Sequence, residues 1–190
     1  MKTLFEKTLF GLVLLAFGVT ASADELTATL TDMAKTEVMQ WLDNPVVREQ
    51  IKAQNSMNQG MSEADIVGLD KQWRAETSAT DQPLIKKVLG TTLSSYLSEV
   101  KEKSAGKYTE IFVMDAVGLN VGQSDVTSDY WQGDEAKWQK TFQAGPDSIH
   151  ISEVEMDESS QQLQVQLSLP VVENGSVIGA VTIGVNVDAL

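Results

Sequence analysis

Residues 162–187 read QLQVQLSLPVVENGSVIGAVTIGVNV, and their pattern decides the fold. From Gln162 to Gln166 polar and apolar residues alternate, which sets one side of an extended backbone against a core and the other toward water. The run turns almost wholly apolar, stops at Glu173-Asn174-Gly175-Ser176, and resumes as SVIGAVTIGVNV. Asn-Gly between two such runs is the strongest short hairpin signal, because a tight turn with positive φ at its centre suits those two residues. Asn174-Gly175-Ser176 is also a formal glycosylation sequon, but the turn accounts for the residues better.

Upstream of this hairpin, residues 109–115 (TEIFVMD) and LNVGQS read as two strands joined by Ala116-Val117-Gly118, and HISEVEM (150–156) as another. The expected sheet therefore has five antiparallel strands, with one short helical segment inserted after Tyr130. The first half has a different period. Between Glu25 and Asn55 the apolar residues Leu26, Leu30, Met33, Ala34, Val38, Trp41 and Leu42 recur every three or four positions, the spacing of one helix face. Asn44-Pro45 interrupts this run and predicts a kink or a cap and restart, since Asn caps well and Pro suits a first helical position. Ser62 is placed to cap a further helix to about Glu76. Pro83 opens a third stretch whose helical spacing runs past Gly90 to about Lys103. Helices followed by an antiparallel meander give an α+β domain, with no linker and no internal repeat.

The N-terminus reads as an export signal. Lys2 and Lys7 flank a short apolar run, and Ala21-Ser22-Ala23 offers the small residues of a cleavage site, so residues 1–23 are expected to be removed after Ala23. An uncleaved membrane anchor is the alternative. With no Cys in the chain there is no lipid-anchoring cysteine. Residues 24–190 then form one domain in the periplasm. Loss of Lys2, Lys7 and Glu6 leaves 12 basic and 26 acidic residues, a net charge of −14. Such a surface disfavours nucleic acid and anionic lipid.

Few catalytic chemistries remain open. His150 is the only histidine and sits in strand-like sequence, so no base stands beside a nucleophile and no zinc set can be assembled. Gly118 and Gly122 are spaced for a hairpin and not for a phosphate cradle. Asp125, Asp129 and Asp134 lack the glycine and terminal glutamate of a calcium loop. The expectation is a protein with no catalytic residue, no metal and no cofactor.

The segments LDNPVVREQIKAQN, LDKQWRAE, EIFVMDAVGLNVGQSDVTSDYWQGDEAKWQ and VVENGSVIGAVTIGVNVD together resemble the Cache (PDC, PAS-like) extracellular sensor domains of bacteria, across essentially all of residues 24–190. The resemblance implies a long N-terminal helix packed behind a five-stranded antiparallel sheet, with a ligand pocket over the other sheet face, covered by the segment between the second and third strands. That segment is TSDYWQGDEAKWQ, residues 127–139. Domains of this kind sit between transmembrane helices of chemoreceptors and kinases and bind amino acids, amines or carboxylates. From residues 24–190 alone, neither such helices nor an output module is expected beside the sensor sequence. The implied role is an accessory regulator that binds the sensor domain of a membrane histidine kinase or similar receptor, and the N-terminal helix offers a surface for a homodimer. A plain solute-binding module and a structural envelope protein without ligand are the alternatives.

The candidate ligand-binding residues follow from that segment and its neighbours. Tyr130 or Trp131 would lid a ligand, since adjacent side chains on extended backbone point oppositely. Asp129 or Asp134 would meet a cationic group. Trp138 reads either as a contact or as a core residue of the short helix, and Asp134 as a contact or as helix N-terminal charge. Trp73 and Arg74 lie where the resemblance places the pocket's edge, and an Arg there could clamp a carboxylate. Asp115 is a contact or a turn former.

Overall fold

The computed structural model describes residues 17–156 and 162–190, with side chains from Ala23 onward. The expected leader lies outside the described residues apart from its last seven, which continue into the first helix. Helix α1 (Phe17–Met33) leads into a π-helical turn (Ala34–Val38) and then into α2 (Met39–Leu42). Leu30, Ala34, Val38 and Leu42 are all buried at four-residue spacing. In an α-helix of 3.6 residues per turn that spacing overshoots by about 40° at each step. The wider π turn takes back part of the excess and keeps the stripe on the sheet.

Asn44 ends this helix and caps the next, its side chain accepting from the Val46 amide, so α3 (Pro45–Met57) restarts at Pro45. Ser62 and Asp65 form a reciprocal capping box at the start of α4 (Glu63–Glu76). The helix expected from Pro83 through Gly90 is instead two, α5 (Pro83–Leu89) and α6 (Thr92–Lys103). The break has a local cause: Thr91 adopts extended backbone and its hydroxyl accepts the Ser94 amide, starting a new helix one residue after Gly90.

The sheet runs β2-β1-β6-β5-β3, all antiparallel, with β4 also paired to β5. The strands are β1 (Tyr108–Met114), β2 (Asn120–Gln123), β3 (His150–Ile151), β4 (Glu155–Met156), β5 (Leu163–Glu173) and β6 (Ser176–Asn186). Six strands thus occupy the five expected places. The single strand expected at residues 150–156 is divided, because Ser152 turns its hydroxyl to accept the Gln166 amide and Glu153-Val154 leave the ladder before pairing resumes at Glu155. The long hairpin turns at Asn174 (φ 50°) and Gly175 (φ 79°), the two positive values its sequence required.

Register separates the two faces. Ile111, Ile183, Leu167 and Ile151 form one cross-strand row and Val113, Val181 and Leu169 another, both turned toward the helices. These residues, with the stripe of α1 and α2, Val47 and Ile51 of α3, and Leu93 and Leu97 of α6, make the main core. The opposite face carries the row Gln123, Phe112, Thr182, Ser168, His150, which crosses five strands. Helix α7 (Ala136–Gln139) lies on that outer face and packs Trp138 on Phe112, Met114 and Ala180. Among the described residues no helix is long and apolar enough to cross a membrane.

Candidate functional site

The outer face is polar, yet much of it is buried. Thr182 and Ser168 have no solvent exposure and share one hydrogen bond between their hydroxyls at 3.0 Å. Lys137 of α7 stands 5.3 Å over the Phe112 ring and pairs with Glu135 at 3.0 Å. His150, at the end of the same row, has its pKa lowered by burial and then by the nearby charges of Lys140 and Lys137.

Residues 127–132 close one side of this face, and α4 holds them in place. Asp70, itself buried, accepts the main-chain amides of Tyr130 and Trp131 through Oδ1 at 3.0 and 3.1 Å. Its Oδ2 accepts from Arg74 Nε at 2.7 Å, and Arg74 Nη2 reaches Asp129 Oδ1 at 2.9 Å. The hydrogen bond to Asp70, against a small burial penalty and with added help from the charge of Asp129, raises the Arg74 pKa. Trp73 is fully buried, donates Nε1 to the Thr127 carbonyl at 2.8 Å, and stacks on Tyr130 with ring centres 5.2 Å apart and 14° between planes. Burial and then the Asp115 charge push the Tyr130 hydroxyl up to about 12.

The candidate residues therefore divide. Trp73, Arg74, Asp129, Tyr130 and Trp131 are gathered into one clamp between α4 and the loop, and in it the Asp129 carboxylate already faces Arg74 and Ser128. Trp131 donates Nε1 to the Val117 carbonyl at 2.8 Å, and its indole fits because Gly133 has no side chain: a Cβ there would stand 2.4 Å from Nε1. Trp138 donates to the Asp115 carbonyl at 3.1 Å and stacks on Phe142. Asp115 is the turn former of the two readings. Its Oδ1 accepts the Val117 and Leu119 amides, and its Oδ2 accepts from Gln54 and Asn58 of the α3 end. Asp134 is exposed at the entry to α7 and contributes to the clamp only through its charge, which helps raise the Arg74 pKa.

Inside the loop lies a group that the sequence did not single out. Asn120 and Gln123 have no solvent exposure and Gln132 has 2%. Asn120 Nδ2 donates to Gln123 Oε1, Thr127 Oγ1 and the Asp129 carbonyl, and Gln132 Nε2 donates to that same carbonyl at 3.0 Å. The other end of each amide, Asn120 Oδ1, Gln123 Nε2 and Gln132 Oε1, is buried without a hydrogen-bond partner among the described residues. A buried polar atom left unpaired costs about 1–3 kcal/mol, so each of the three calls for a partner such as a water or a ligand. The sequence signal was the polar pair flanking Val121-Gly122 in a strand that is buried throughout.

No family model and no curated protein matches the chain. Solved structures similar to it are sensor domains. The ligand-binding domain of the Campylobacter jejuni chemoreceptor Tlp3, in complex with 4-methylisoleucine, matches 84% of this chain at 11% identity and a TM-score of 0.40. The V. cholerae histidine kinase DctB sensor domain matches 91% at 16% identity and 0.38. The ligand-binding domain of the Pseudomonas aeruginosa PAO1 amino acid chemoreceptor PctC, in complex with GABA, matches 75% at 15% identity and 0.37. The chain spans 59% of the length of each of these three.

Proposed function

We propose that this protein is a periplasmic small-ligand sensor that works as an accessory regulator of a membrane histidine kinase or similar receptor. The reading rests on the three unpaired amide atoms at the outer sheet face. Two are acceptors and one is a donor, so the complementary ligand carries both hydrogen-bond donors and an acceptor, as an amino acid or an amine with a polar substituent does. Ligand entry would pull Asn120, Gln123 and Gln132 toward it and, through Asn120 and Gln132, load the Asp129 carbonyl to which both donate. The loop is tied to α4 through Asp70, so a shift of residues 127–132 is passed to the exposed side of α4, where a partner could read it. Regulation of that partner requires that its states differ in affinity for the two forms.

The test is a thermal-shift screen of amino acids, amines and organic acids against the wild type and Gln123→Met. The Met side chain keeps the volume and removes the orphan amide, so the variant folds and loses the shift. Crosslinking in envelope extracts then asks whether a sensor kinase or receptor is recovered. Recovery of none removes the regulator half of the reading.

A further inference from the structure

A cavity lies away from this face, where the N-terminal helix meets the free edge of β5. Its volume is about 830 Å³, within the range of about 300–1,000 Å³ typical of small-molecule sites. Met39, Leu42, Ile149, Leu169 and Val171 supply apolar wall, and Met39 keeps 50% of its surface exposed there.

Three features define what would fit. Strand β3 pairs with β5 only at Leu167 and Ser168, so β5 has an open edge from Leu169 onward. The Gln166 amide and carbonyl face that edge, bonding Ser152, and the ladder alternates without interruption to Pro170. The Pro170 main chain therefore faces the cavity as well, offering a carbonyl and no N–H. Lys35, on the π turn, and Asp147, on the facing loop, line the cavity without a salt-bridge partner among the described residues, whereas Arg48 and Asp43 pair with each other. An unpaired cation, an unpaired carboxylate and apolar walls suit an apolar zwitterion, and the edge acceptor favours one that carries a main-chain amide.

We infer that the cavity binds a short apolar peptide with free ends. Its carboxylate lies toward Lys35, its ammonium toward Asp147, and one of its amides donates to the Pro170 carbonyl. A long partner strand is disfavoured, because Pro170 interrupts the donors that β-augmentation needs.

The experiment is calorimetric titration of the full chain with the tripeptide Leu-Ala-Leu, with its N-acetyl and C-amide forms as controls. One-to-one saturable binding is expected. Each blocked end weakens it about two- to fivefold, the range of an exposed ion pair. Lys35→Met reproduces the loss caused by amidation and adds nothing to it, and Asp147→Asn does the same for acetylation. Met39→Glu, at a half-exposed position where the fold survives, removes binding. Absence of saturable binding, indifference to both blocked ends, or intact binding in Met39→Glu overturns the inference. Gln123→Met leaves this titration unchanged, so its outcome is independent of the outer-face site.

Discussion

Replacing Asp70 with Ala tests the clamp that positions residues 127–132. The carboxylate accepts two main-chain amides at 3.0 and 3.1 Å and the Arg74 guanidinium at 2.7 Å. Stranding two largely buried amides costs about 1–3 kcal/mol each. The Arg74 pair adds less than about 1 kcal/mol, because that side chain is 58% exposed and solvent screens it. The sum is about 2–7 kcal/mol for Asp70→Ala. In Asp70→Asn the side-chain oxygen still serves both amides and only the contact to Arg74 is lost, a cost of about 1 kcal/mol, and Arg74→Met costs the same or less. Urea unfolding followed by circular dichroism measures all three. The reasoning fails if Asp70→Ala loses less than about 1 kcal/mol, or if Arg74→Met is as damaging as Asp70→Ala, since the two amides would then not depend on Asp70.

Three further outcomes follow from local geometry. Gly133→Ala puts a methyl group against the Trp131 indole and destabilises by about 1–3 kcal/mol, with a change in tryptophan emission that Gly68→Ala at an open helical position does not share. Asn44→Ala removes the cap that restarts α3 and costs about 1 kcal/mol in the same unfolding assay. His150 has its pKa lowered below the ordinary 6.5, so the unfolded chain takes up this proton first as pH falls; stability is held above about pH 6.5 and declines below it, until the folded pKa is reached. His150→Gln flattens that segment of the stability–pH curve.

What could be read from the sequence is what neighbours in sequence decide. The hairpin at Asn174-Gly175, the cap at Ser62 and the restart at Asn44-Pro45 each depend on a few adjacent residues, and each is present. Gly90 shows the limit of periodicity: the apolar spacing reads on from Val88 to Leu93 and Leu97, although Val88 packs beside Trp73 and the two leucines in the main core, so the Thr91 cap between two helices leaves no mark in the apolar pattern. The split of the third strand is hidden for the same reason, since Ser152 leaves the ladder by a side-chain choice. In the site, the Trp and Tyr residues were visible by type, but Trp73 and Tyr130 meet only through the fold. Asp70 in mid-helix reads as an ordinary solvated charge. Whether Asn120, Gln123 and Gln132 find partners for both ends of their amides is a property of the packed interior and has no local sequence signature.

The most direct measurement is the melting temperature of the wild type and of Gln123→Met across a panel of amino acids, amines and organic acids. A ligand at a hundred times its Kd adds about 2.7 kcal/mol to stability, which a thermal shift resolves easily. The account predicts that at least one amine or amino acid raises the wild-type Tm while the folded Gln123→Met protein gives no shift. A panel that moves neither protein, or a ligand whose shift survives in Gln123→Met, contradicts it.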